Sequence, residues 1–204
     1  FLFLDLSGSD RWIIYSNILK YVSVLLCLAN ALMTGKDAIE KKDAALLQAA
    51  MLVTIAADLF LLFTDYYFLG ISIFCLVQII YIARHSRYSK VHAKKICIAG
   101  GSALMAVSFF AVVITGINQK AMVLAGCLYA FLTVCSLHTA FCTVKSDIYP
   151  KKAAAQINTG LWLLLLCDIS IFLKIVIPFI PFSGFLIWFF YLPSQVLLSL
   201  SARK

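Results

Sequence analysis

Two aspartates stand inside long apolar runs, Asp58 in AALLQAAMLVTIAADLFLLF and Asp168 in TGLWLLLLCDISIFLKIVI. An ionised carboxylate in hydrocarbon is expensive, so a chain that carries two of them at helix centres is expected to use them. Two carboxyls close together at low dielectric tend to share one proton, which leaves one acid and one anion. Such a pair suits proton donation to a substrate and stabilisation of the cation that results. Lys20 and Tyr191 also interrupt apolar runs, adding a cation and a hydroxyl to the polar groups that the surrounding elements must position.

Those elements follow from composition. Of 204 residues 63% are hydrophobic and 13% charged, too few polar side chains to cover a soluble core. The chain reads as a single all-α domain over residues 1–204, a multi-pass transmembrane helix bundle. Apolar stretches able to cross roughly 30 Å of hydrocarbon number seven. They fall near 13–33, 44–63, 68–83, 96–114, 121–144, 156–177 and 183–201, the third and last being short enough to need tilt or local thinning. A connection as short as Thr64 to Tyr67 leaves no room for a soluble domain.

Charge sets the orientation. Lys36, Lys41 and Lys42 follow the first span, Arg84, Arg87, Lys90, Lys94 and Lys95 the third, Lys145, Lys151 and Lys152 the fifth, and Arg203 and Lys204 end the chain; only Arg11 and Lys120 fall on the opposite side. The positive-inside rule then makes the C-terminus cytoplasmic, in a bacterial cell membrane or the endoplasmic reticulum. The net charge of +8 is topology, not a nucleic-acid signature, and the basic loop from Arg84 to Lys95 is an orientation signal that can also touch anionic headgroups. No protein partner is evident. Phe1–Leu6 is apolar without an initiating Met or basic n-region, so it reads as the stub of an eighth span cut short rather than a signal peptide.

The remaining chemistry-bearing residues are quieter. Cys27, Cys75, Cys97, Cys127, Cys135, Cys142 and Cys167 lie in or at the edge of apolar spans with no CxxC pair, and read as small hydrophobes. His85 and His92 read as loop residues, and His138 lies toward the cytoplasmic end of the fifth span. No convergent ligand set for a metal is expected, and no cofactor. Gly100 and Gly101 read as a close helix contact rather than a phosphate loop.

Depth relates the intramembrane polar groups. At the helical rise Lys20 lies roughly 10 Å below the external end of its span, Asp58 roughly 8 Å, Asp168 roughly 13 Å and Tyr191 roughly 12 Å. Converging faces would make these four line a pocket for the headgroup end of a lipid. Each has a structural alternative. Lys20 can form a buried ion pair with either aspartate, and Lys174, near the end of its span, can snorkel to the interface. Tyr191 and Gln195, one turn apart, can serve as interhelical hydrogen bonders. Ser16 and Asn17 above Lys20, and Thr54 below Asp58, read as packing or supporting residues.

The order of these residues resembles a family. The segment TIAADLFLLFTDYYFLGISIFCLVQIIYIA is similar to a signature of the YhhN family of membrane lysoplasmalogenases, with Asp58, Gly70, Phe74 and Tyr81 at its matching positions. The segment TGLWLLLLCDISIFLKIVIPFIPFSGFLIWFFYLPSQVLLSLSA resembles the family's closing block through Asp168, Lys174, Tyr191 and Gln195, and Lys20 resembles the lysine of its early helix. Gln78 stands where the family usually has a histidine, Tyr21 where a proline commonly follows the early lysine, and Cys167 where a serine precedes the second aspartate. Glutamine hydrogen-bonds but cannot shuttle a proton, which marks a divergent member.

The resemblance implies a hydrolase that cleaves the vinyl ether bond of a lysophospholipid substrate, lysoplasmalogen, to a fatty aldehyde and a glycerophospho-alcohol. Asp58 and Asp168 are then the catalytic carboxyls, and Lys20, Tyr191, Gln195, Lys174, Gln78 and Tyr81 bind substrate. Two other classes stand beside it. A retinal-type receptor would be expected to carry a lysine in the last span, and this span has none. A non-catalytic lipid-binding or transport protein would keep the polar pocket without the turnover.

Overall fold

The computed structural model describes Leu2 and residues 10–87, 120–176 and 183–204. Six α-helices account for most of them: α1 (Asp10–Leu32), α2 (Lys41–Phe63), α3 (Tyr67–Ser86), α4 (Lys120–Thr143), α5 (Lys151–Val176) and α6 (Ser183–Leu200), with a short 3-10 turn, η1 (Gly35–Asp37), after α1. A chain this apolar satisfies its backbone inside hydrocarbon only by helical hydrogen bonds. Its small polar side chains follow the same rule. Ser23 donates to Leu19 O, Thr54 to Ala50 O, Ser72 to Phe68 O and Ser170 to Leu166 O, all at 2.8–2.9 Å. Each hydroxyl is thereby folded back onto its own helix. Thr54 thus supports α2 rather than Asp58.

Five helices are long and apolar enough to cross a membrane, Trp12–Leu32, Lys41–Phe63, Tyr67–Ser86, Met122–Thr143 and Lys151–Lys174, while the apolar part of α6, Gly184–Leu200, is shorter. Large side chains such as Leu26, Leu52, Phe141, Trp162 and Phe172 are exposed on these helices, an arrangement that water penalises and lipid does not. The chain is therefore read as integral to a membrane. The expected count of seven spans is not reached among the described residues: five helices qualify, α6 falls short in length, and the span near 96–114 lies outside them. Also outside are His92, Cys97, Gly100, Gly101, the basic loop beyond Arg87 and most of Phe1–Leu6.

One sequence expectation is corrected. Arg84 and His85 read as loop residues, but α3 runs to Ser86 and buries both, Arg84 at 0% and His85 at 1% exposure. The helix continues because nothing breaks it before Arg87, and its rotation carries residues 81, 84 and 85 to the same inner side as Phe74, Val77 and Gln78.

The described chain divides into two compact units, residues 1–44 with 150–204, and residues 45–149. In the first, α6 packs against both α5 and α1. Gly160 on α5 allows the close approach: a Cβ there would stand 2.8 Å from Leu198 Cγ, and Ser194 Oγ donates to Gly160 O at 2.7 Å. The C-terminal residues close the unit. Ile39 N donates to Ala202 O and Lys204 N to Asp37 O, both at 2.9 Å. Gly35 makes the preceding turn possible with φ 44°, in the left-handed region.

In the second unit α3 packs against α4. It also meets α2 at Gly70, where a Cβ would lie 2.5 Å from Leu61 Cδ2 and 3.5 Å from Ala57 O. A methyl at position 70 would require the half-buried Leu61 side chain, one turn from Asp58, to shift.

Candidate functional site

In the first unit the polar residues gather where α1 crosses α6. Lys20 is 6% exposed, and its Nζ lies 5.4 Å from the centroid of the Trp188 ring. Trp188 in turn meets Tyr191 edge-on, centroids 5.0 Å apart at 82°. Both rings are buried. Their stacking costs no polar satisfaction, and the indole face attracts the ammonium without cancelling its charge. One turn beyond Tyr191, Gln195 is buried and its Oε1 has no hydrogen-bond partner among the described residues.

Asp168 belongs to the same level. The chain between α5 and α6 reaches at most roughly 25 Å, against a length of roughly 39 Å for α5, so the two helices run antiparallel. Gly160 on α5 touches Ser194 and Leu198 on α6. Two turns further along α5 is Asp168, and two turns back along α6 lies the stretch around Trp188. Asp168 is half-buried beside fully enclosed Cys167 and Leu164, at the margin of the buried stripe of α5. Lys20, Trp188, Tyr191 and Asp168 thus share one layer of this unit. Lys174, by contrast, is exposed two turns beyond Asp168 toward the end of α5, and is not part of that layer.

In the second unit Asp58 is 4% exposed within α2. It follows Ala57, whose carbonyl faces Gly70, so its level on the antiparallel neighbour α3 is that of Gly70 to Phe74. Gln78 and Tyr81 are fully buried on α3 but lie deeper, about 10 Å and 15 Å further along the helix from that level. Gln78 Nε2 donates to Tyr129 Oη at 3.4 Å, and Tyr81 stacks on His85 with ring centroids 5.9 Å apart. Gln78 is therefore a member of the α3–α4 interface, and both residues lie along α3 away from the level of Asp58.

Trp188 looked like one more apolar residue in a hydrophobic run, although its spacing of three from Tyr191 places both on one helical face. Tyr129, on the fifth expected span, carried no polar neighbour to single it out. Arg84 and His85 were hidden by the cations that follow them.

The chemistry available is that of carboxyls held inside apolar helices together with one aromatic-shielded cation. Among the described residues no group of three or more His, Cys, Asp or Glu side chains is arranged to hold a metal ion. No curated protein and no solved structure matches the chain. The YhhN family model matches residues 15–202, nearly the whole length and every candidate site residue from Lys20 to Gln195, and the chain therefore belongs to the YhhN family.

Proposed function

We propose that this protein is a membrane hydrolase acting on the vinyl ether bond of lysoplasmalogen. The observation that carries the reading is family membership over residues 15–202, in a chain that keeps both aspartates of the resemblance inside apolar helices.

The chemistry asks for one acid and one anion, and Asp58 and Asp168 are the groups proposed to supply them. Protonation of the β-carbon of the enol ether breaks its double bond and leaves an oxocarbenium ion, which a carboxylate stabilises. Water adds to the α-carbon and gives up a proton to the carboxylate, so the proton spent is recovered. The hemiacetal then collapses to a fatty aldehyde and a glycerophospho-alcohol. Lys20, held over Trp188, is the proposed partner of the phosphate, with Tyr191 and Gln195 for the glycerol hydroxyls. Lys174, exposed near the end of α5, serves the rim of such a site. Gln78 acts from the α3–α4 interface, and Tyr81 from further along α3. The cation distribution supports a cytoplasmic C-terminus, in a bacterial cell membrane or the endoplasmic reticulum.

The test is aldehyde release from lysoplasmalogen by purified protein. Turnover that is lost in folded Asp58→Asn and Asp168→Asn variants supports the reading; turnover retained in both removes the carboxyl mechanism.

A second reading has one observation in its favour. Gln78, at the position where histidine is usual, is engaged with Tyr129 and carries no titratable proton. A non-catalytic lipid-binding or transport protein would bind lysophospholipid, with Lys20 contributing, yet release no aldehyde from it under any condition.

A further inference from the structure

The contacts between α3 and α4 fix their register. Cys75 Sγ meets Ala125 O at 4.0 Å and Gln78 Nε2 meets Tyr129 Oη at 3.4 Å, pairs 50 and 51 residues apart in sequence. The partners advance together, so the two helices run parallel. At that offset the next turn sets Tyr81 level with Thr133, and the turn after sets His85 level with Ser136. On each helix these positions form one stripe: 74, 78, 81 and 85 on α3, and 129, 133, 136 and 140 on α4.

Hydrogen-bonding capacity is left over along this seam. Gln78 Oε1, Thr133 Oγ1, Ser136 Oγ and both ring nitrogens of His85 are buried and have no hydrogen-bond partner among the described residues. The four side chains are between 0% and 2% exposed. The surplus is not general to α4, because Thr139 and Thr143 on the same helix bond carbonyls of their own backbone, at 2.9 and 2.6 Å. Left dry, each such group costs about 1–3 kcal/mol. Four on one stripe of a small helical unit is more than its packing would carry without a ligand. The atoms offer both acceptors and donors and lie between two packed helices, which suits water rather than a larger ligand.

We propose that the α3–α4 seam is hydrated, with water molecules bound by Gln78, Thr133, Ser136 and His85 in a file from mid-helix to the C-terminal end of α3. Hydration of the seam stands independently of the reaction. Its use as the source of the water consumed in vinyl ether hydrolysis rests on the proposed function.

Hydroxyl-radical footprinting, in which radicals are generated from water around the wild-type protein in lipid nanodiscs, reads this residue by residue without any turnover. Met51, fully buried on α2, is the dry control. His85 and Tyr81 are expected to be oxidised at least about tenfold faster than Met51 after scaling for intrinsic reactivity, as side chains beside bound water are. Thr133→Val with Ser136→Ala should slow His85 oxidation by about threefold or more, because the anchors of the file are gone. Labelling of His85 and Tyr81 no faster than Met51 overturns the proposal, and this wild-type comparison decides even if the double variant fails to fold. Fast labelling that a folded double variant leaves unchanged overturns the assignment to these groups. Loss of aldehyde release in the double variant, with labelling slowed, extends the proposal to water supply; unchanged release limits it to a structural file.

Discussion

Lys20 Nζ stands 5.4 Å from the centroid of the Trp188 ring, a cation from α1 held over an indole from α6 in the interior of one helical unit. A second link between the same helices, Asn30 Nδ2 to Ser199 Oγ at 2.9 Å, lies ten residues further along α1 and eleven along α6. The two contacts together set a parallel register that brings the only lysine of α1 beside the aromatic pair of α6.

If Lys20 holds the phosphate of a lysophospholipid, its charge matters more than its bulk. Lys20→Met should raise KM by about tenfold to a hundredfold, the loss expected for a charge-assisted hydrogen bond. Trp188→Phe, which keeps an aromatic face, should raise it by less. Steady-state kinetics on lysoplasmalogen checks both, and a fall in kcat with KM unchanged in Lys20→Met would point to a role in the chemical step instead.

Asp58→Asn and Asp168→Asn should each lower kcat by about 10²- to 10⁴-fold, the range of general acid–base contributions. If both carboxyls serve one reaction step, the double variant should be little slower than the slower single. Additive losses measured in single-turnover assays would separate the two carboxyls into independent roles.

The C-terminal closure of the first unit hangs on Asn30. Arg203 Nη2 donates to Asn30 O at 2.9 Å and to Asn30 Oδ1 at 2.7 Å, while Asn30 Nδ2 donates to Ser199. Asn30→Ala removes the guanidinium's bond to Oδ1 and the amide donated to Ser199, while Arg203 keeps the backbone carbonyl of residue 30 and Ser199 keeps Val196 O, and is expected to destabilise the protein by about 1–2 kcal/mol. Thermal unfolding in detergent reads the loss; Ser199→Ala, which removes a single neutral partner, should cost less.

Two glycines should respond oppositely to the same change. A methyl at Gly160 would stand 2.8 Å from Leu198 Cγ, whereas one at Gly126 has nothing within 4 Å. Gly160→Ala should cost about 1–3 kcal/mol through overpacking of the α5–α6 contact. Gly126→Ala should stabilise α4 by roughly 0.5–1 kcal/mol by removing backbone freedom. A thermal midpoint of Gly160→Ala no lower than that of the wild type would show that this close contact does not limit the packing.

The helices were legible because hydropathy and length decide them: every described span coincides with an expected apolar run to within a few residues. Asp58, Asp168 and Lys20 were legible for the complementary reason, since a charge inside such a run is rare enough to stand out. Arg84 and His85 were not, because cations at the end of a span look the same whether they leave the membrane or turn inward. Gln78 and Tyr81 were singled out by family resemblance, yet nothing in the order of residues signals that Gln78 meets Tyr129 across a helix interface or that Tyr81 stacks on His85.

Sequence alone determined that this chain is helical and membrane-embedded, and how far along each helix every polar group lies, because the rise per residue is a property of the backbone. Tertiary structure decided which groups meet: Lys20 with Trp188, Gln78 with Tyr129, and the stripe of surplus hydrogen-bonding atoms between α3 and α4. Rotation about the helix axis and choice of neighbour are set by side-chain fit, such as Leu198 against the bare face of Gly160, and no one-dimensional pattern carries that fit.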